Sequence, residues 1–252
     1  MSIYSIYFSP TGGTEKVCDI ISATFSKDYK AIELIAAEDD FASVKLTQDD
    51  IAIIGGPVYG GRIPGVAMER LEQISGGGAK AVLVAVYGNR AYDDALMELK
   101  DGSVRAGFVP VAGIAANAEH SIARTIAAGR PDKDDEVVLK EFVEKIKEKI
   151  AKGETGLEVP GNSHDERRKD SAMPIMVTED CNECGSCVDE CPTRAIPSDA
   201  PNTTDAEKCM GCMRCISICP NEARCLPKER IEGATQMLMK ACPDRSNNEL
   251  FL

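Results

Sequence analysis

The sequence predicts an α/β protein. A doubly wound, five-stranded parallel sheet is expected over residues 1–152, a polar linker over 153–173, and a small α+β unit ending in a helix over 174–252. Three observations predict this. Short β-branched runs alternate with segments whose apolar residues recur at helical spacing. Glycine-rich loops follow several of the runs. Ten of the eleven cysteines fall after residue 180, so the two ends of the chain differ in chemistry.

Taken in order, Ile3–Phe8 reads as a buried strand, followed by Ser9-Pro10-Thr11-Gly12-Gly13-Thr14. Val17, Cys18, Ile21 and Phe25 then mark a helix to about Lys27. Strand, hydroxyl- and glycine-rich loop, helix is a phosphate-binding arrangement: glycines let backbone N–H groups approach an anion beside the positive helix end. The plainer reading is that Thr14 caps the helix. No Walker or dinucleotide fingerprint is present, so direct use of a nicotinamide cofactor is not expected.

Lys30–Leu34 and Ile51–Ile54 read as the next strands, and the latter runs into a glycine-rich loop that opens a helix of about Gly65–Ile74. Ala79–Tyr87 is a long apolar strand, followed by Gly88-Asn89-Arg90-Ala91-Tyr92, a helix of about Asp93–Leu99, and a strand at Gly107–Ala115. Val138, Leu139, Phe142, Val143, Ile146 and Ile150 form one face of a final helix. Strands alternating with helices imply a parallel sheet covered on both faces. Ligands of such sheets bind beyond the C-terminal strand ends, where the three unusual loops gather. The connection from Ala115 to Asp134 is long enough to suggest a covering role, and His120 within it is either a proton donor or a surface histidine.

The second half is organised by a repeat. Cys181-x-x-Cys184-x-x-Cys187-x-x-x-Cys191-Pro192 recurs 28 residues later as Cys209-x-x-Cys212-x-x-Cys215-x-x-x-Cys219-Pro220. Three thiolates at this spacing wrap three corners of a [4Fe–4S] cube, and the fourth, carried off by the turn at proline, reaches the other cube. Cys181, Cys184, Cys187 and Cys219 are thus expected on one cluster, and Cys209, Cys212, Cys215 and Cys191 on the second. Zinc would favour separated pairs or histidine, and neither run contains a histidine. A disulfide framework fits poorly with an odd cysteine total and no secretory signal. Cys18, Cys225 and Cys242 lie outside the pattern and read as packed thiols. Pro227 opens a last helix, with Ile231, Ala234, Leu238 and Ala241 on one face.

On these cysteines, the segment from about Pro174 to Cys225 resembles a bacterial-type ferredoxin with two [4Fe–4S] clusters. Cys191-Pro192-Thr193-Arg194-Ala195-Ile196 fits that family well, whereas the second copy ends in Arg224 where the family usually carries an apolar residue. With its Thr11-Gly12-Gly13-Thr14 loop, the first half is similar to flavodoxins. That resemblance implies strand order 2-1-3-4-5 and FMN as cofactor. Its phosphate would be held by Ser9, Thr11, Gly12, Gly13 and Thr14, and its ring flanked by Pro57, Val58, Tyr59, Gly60, Gly61, Arg62, Tyr87, Gly88, Asn89, Arg90 and Tyr92. Tyr59 either stacks on the flavin or is an exposed turn residue. Arg62 and Arg90 either place a cation at the ring or are solvated. The whole chain resembles the flavodoxin–ferredoxin fusions of anaerobic bacteria and archaea.

That resemblance implies an electron-transfer protein coupling one- and two-electron carriers. An FMN-dependent reductase of a small molecule is the alternative, and a flavin-free docking module is the third reading. The formal charge of −12 disfavours nucleic acid and anionic membranes. It suits docking to redox partner proteins, and a homodimer stays open. No apolar run approaches the ~20 residues that span a bilayer. With no basic n-region at Met1–Tyr4, a cytoplasmic protein is expected.

Overall fold

A computed structural model describes residues 1–252. The first half alternates β1 (Ile3–Tyr7), α1 (Gly13–Phe25), β2 (Lys30–Glu33), β3 (Ile51–Pro57), α2 (Gly65–Leu71), β4 (Lys80–Tyr87), α3 (Ala95–Arg105), β5 (Val109–Asn117) and α4 (Lys133–Ala151). The second half holds β6 (Met176–Val177), α5 (Ser186–Asp189), α6 (Arg214–Ser217), β7 (Arg224–Cys225), α7 (Lys228–Ala241) and β8 (Glu249–Phe251).

The five parallel strands lie in the order β2-β1-β3-β4-β5, so the chain reverses its winding between β1 and β3. The two-residue period of a strand sends alternate side chains to opposite faces. Ile53, Val82 and Val84 meet Val17 and Ile21 of α1 and Leu139, Val143 and Ile146 of α4. Their neighbours Ile54, Leu83 and Ala85 meet Met68 and Leu71 of α2 and Leu96 and Leu99 of α3. Each fully buried Ile or Leu contributes about 1.5–3 kcal/mol, so this interior carries the stability of the first half.

Local chemistry shifts some expected boundaries. β3 runs on through Gly55 and Gly56 to Pro57 rather than ending at Ile54. A Cβ on Gly55 would stand 2.2 Å from the Cys18 sulfur, so glycine here lets α1 press onto the strand. Asp93 has φ 42 and cannot join a helix, so α3 starts at Ala95 instead of Asp93.

A sixth strand completes the sheet. β8, from the chain's last residues, pairs antiparallel with β5, Ile114 opposite Leu250. The segment leading to it is stitched down by Asn89, which donates to the carbonyls of Cys242 and Asp244 and accepts from the Ser246 amide. The buried Arg130–Asp135 pair extends this clasp: Arg130 donates to the Ser246 carbonyl, and Asp135 accepts from Asn248. The polar linker also follows the first half. Leu157 and Val159 enter its core, and Asp94 accepts from the Asn162 amide and meets the His164 ring.

In the cysteine-rich unit the sequence repeat is also a backbone repeat. Glu183, Gly185 and Arg194 adopt left-handed conformations, and so do Gly211, Met213 and Glu222, each 28 residues on. Four of these six positions are not glycine, and such residues persist only where the surroundings over-determine them. α5 and α6 are single turns related by the same shift, and β6 and β7 pair over two residues only. Met210 and Cys212 of this unit join the core cluster on the α2–α3 side of the sheet, so the two halves share one interior. No helix is long and apolar enough to cross a membrane.

Candidate functional site

The interlaced cysteine repeat forms two hollows. Cys181, Cys184, Cys187 and Cys219 line one, and Cys191, Cys209, Cys212 and Cys215 line the other. All eleven cysteines are unpaired. The amides of Ala195 and Ala223 donate to the sulfurs of Cys191 and Cys219 at 3.2 and 3.3 Å, a symmetric pair of bonds across the repeat. No three His, Cys, Asp or Glu side chains converge closely enough to grip a single ion. Rings of four thiols about a hollow suit a bulkier cubic cluster.

The hollows differ in exposure. Cys184 is exposed and Cys181 half-buried, so the first hollow reaches the surface. Burial pushes the Cys212 thiol up to about 12 and the Cys215 thiol up to about 11.

A third cavity, of about 350 Å³, opens at the C-terminal ends of β1, β3 and β4. That is within the ~300–1,000 Å³ of small-molecule sites. Its first wall is the loop after β1. Gly12, at φ 83, caps α1 without a side-chain bond, and the Ser9 hydroxyl accepts from the Glu15 amide. Thr14 is buried and does not cap the helix. The amides of Thr11, Gly12, Gly13 and Thr14 meet no protein acceptor, leaving four donors at the positive end of a 13-residue helix.

The second wall is the expected pair of loops. Pro57, Val58, Tyr59, Gly60, Gly61, Tyr87, Gly88 and Arg90 all line the cavity. Arg62, Asn89 and Tyr92 do not. Arg62 makes a two-pronged ion pair with buried Glu98, whose carboxylate also accepts from the Ile63 amide. Asn89 is spent on the tail. Tyr92 donates to Glu249 and packs edge-on against Tyr87 and Phe251. Each of the three therefore organises its loop rather than facing the cavity.

The long connection after β5 supplies a third wall through Ala118, Glu119, His120, Ser121 and Ile122. His120 Nδ1 accepts from the amides of Ile122 and Ala123, both at 3.1 Å, which leaves the ring proton on Nε2. Burial holds the imidazole below its usual value, so it is neutral near pH 7. The ring packs where a Cβ on Gly88 would lie, 2.6 Å from it.

The remaining wall comes from the other half of the chain: Met210 and Gly211, between two cysteines, together with Ala234, Met237 and Leu238 of α7. Tyr59 links the cavity to the second hollow, its hydroxyl reaching the Cys212 carbonyl at 3.4 Å. Arg214 and Ser217 of α6 donate to the Pro10 carbonyl, joining the cysteine-rich unit to the loop after β1. The length of the 115–134 connection signalled the third wall in the sequence, whereas nothing local marked Met210 or α7.

Comparison with known proteins finds relatives of the cysteine-rich unit. A 4Fe-4S dicluster domain family matches residues 173–220. Ferredoxin Fdx2 of Sorangium cellulosum is 36% identical over 74 residues, 27% of this chain and 72% of that protein. Ferredoxin-1 of Chlorobaculum tepidum is 37% identical over 57 residues, 20% of this chain and 92% of that protein. The crystal structure of oxidised Flavodoxin 2 from Bacillus cereus covers 59% of this chain and 99% of its own, with 20% identity and a TM-score of 0.41. At that level the fold of the first half rests on its own strand order rather than on the likeness.

Proposed function

The chain belongs to the 4Fe-4S dicluster ferredoxins, carried here behind a flavodoxin-like sheet, and from that we propose an electron-transfer protein that relays between two clusters and FMN. Cys181, Cys184, Cys187 and Cys219 hold the outer cluster, and Cys191, Cys209, Cys212 and Cys215 the inner one. When bound, each cluster supplies a single electron and the flavin one or two.

The chain's own residues do the rest. Ser9, Thr11, Gly12, Gly13 and Thr14 hold the phosphate by backbone donors at the start of α1. Tyr59 and Tyr87 flank the ring, and the neutral His120 stands at the cavity wall. Ala234, Met237 and Leu238 supply apolar lining on the side away from the sheet.

One observation supports the relay above all: a single cavity is lined both by the loops after β1, β3 and β4 and by Met210–Gly211, whose flanking residues Cys209 and Cys212 line the inner hollow. The flavin and inner cluster then neighbour each other within one chain, while the exposed Cys184 faces outward to redox partner proteins. The alternative is reduction of a small molecule at the same cavity.

Anaerobic purification with iron, sulfide and FMN counted per chain tests this reading. About eight irons, the content of two cubes, and one FMN per chain are expected. Full clusters without FMN would overturn the relay in favour of a docking module. Rapid flavin reduction by a small molecule, with no protein partner, would move the assignment to the reductase.

A further inference from the structure

The two hollows are related by the 28-residue repeat, yet three pairs of equivalent lining positions differ in charge: Glu183 against Gly211, Ser186 against Arg214, and Ile196 against Arg224, the last of which is buried in both copies. Ile196 lines the hollow of Cys191, Cys209, Cys212 and Cys215. Arg224 lines that of Cys181, Cys184, Cys187 and Cys219. Both are buried, Arg224 to 2% exposure.

The Arg224 guanidinium has no carboxylate partner. Nη1 donates to the Thr204 hydroxyl at 2.9 Å, and Nη2 to the carbonyls of Thr203 and Pro201. Nε finds no acceptor. The Pro201 carbonyl is also 3.9 Å from the Cys187 sulfur, so the cation and a thiol of this hollow share a neighbour. A buried guanidinium neutralised only by carbonyl and hydroxyl dipoles is costly to desolvate, and an adjacent anion is what would offset it. A cube held by four thiolates is such an anion, and gains one more negative charge when an external one-electron donor reduces it. Nearby positive charge favours that reduced form. Other cations near the sites act less directly. Arg214 lines the inner hollow but is paired with Glu190, and Arg70, which donates to the Pro192 carbonyl, does not line it.

We propose that Arg224 raises the reduction potential of the cluster held by Cys181, Cys184, Cys187 and Cys219, whose hollow it lines, more than that of its neighbour. The inference rests on the cluster reading given above.

The test is a potentiometric titration of the holo-protein followed by electron paramagnetic resonance. Arg224→Gln removes the charge and keeps a donor, and Arg224→Lys keeps the charge. Arg224→Ile copies the other site and serves where Gln disturbs the 201–204 loop. A Cys184→Ser variant identifies the signal of the outer cluster. The midpoint of that cluster falls in the Gln and Ile variants, stays near the unmodified value in the Lys variant, and the inner midpoint moves less. Equal shifts of both clusters, no shift, or a Lys variant as low as Gln overturns the proposal. Iron and sulfide counted beforehand on the unmodified protein separate failure of the cluster reading from failure of this one.

Discussion

The two halves of this chain are held together by opposite means. The sheet buries clusters of 26 and 18 residues on its two faces, largely aliphatic, so apolar transfer from water decides its stability. The cysteine-rich unit has single-turn helices and a two-residue strand pair, with non-glycine residues held at positive φ. Its few buried side chains, such as Ile196, Ala223 and Leu226, cannot repay the ordering of some fifty residues at about 1–2 kcal/mol of backbone entropy each. Metal–thiolate bonds supply what an aliphatic core supplies elsewhere. The lesson is that one polypeptide can carry a preformed scaffold and a unit whose fold is completed by its ligands.

The largest expected effect breaks the halves apart. Chelation of iron under reducing conditions abolishes amide-exchange protection over 174–226 while β3 and β4 stay protected; simultaneous loss in both would refute the contrast. Next, Leu83→Ala in the sheet lowers stability by about 2–5 kcal/mol in denaturant titration, with iron content unchanged before the transition. Gly55→Ala overpacks the contact with Cys18 and costs about 1–3 kcal/mol, a loss that Cys18→Ala relieves in the double variant. At the seam, Tyr59→Phe removes the bond to the Cys212 carbonyl. It weakens protection of Gly211–Cys212 by about 0.5–1.5 kcal/mol without altering that of β4.

The smallest effect concerns His120. Its folded imidazole titrates below the unfolded one because burial disfavours the charge. The neutral form is thus the one the fold accommodates. Stability from this site is complete above the unfolded value of about 6.5 and is lost as pH falls through the depressed folded value. His120→Asn should flatten the urea midpoint over that interval, and an unchanged pH profile in the variant would count against the buried, neutral assignment.

Periodicity made the first half legible: each strand and helix is found where it was expected, though α3 runs to Arg105, six residues past its expected end, because burial of alternate or every third-to-fourth side chain is a local pattern. The cysteine repeat was legible for the same reason, since its spacing is written within 39 residues. Arg62 read as a cation near the ring because its loop was identifiable, but its partner Glu98 lies 36 residues on, and that pairing turns it away. β8 was illegible for a similar reason. Three residues carry too little pattern to read as a strand, and their partner in β5 stands more than 130 residues earlier.

By itself the sequence determined the winding of the sheet, the loops at its C-terminal edge and the cysteine repeat, since all of these are written in residues close along the chain. Only the tertiary structure decided that α7 closes the cavity, that Met210 stands between it and the inner hollow, and that Arg224 lies buried without a carboxylate. Those depend on which surfaces meet, and burial couples residues far apart in the chain.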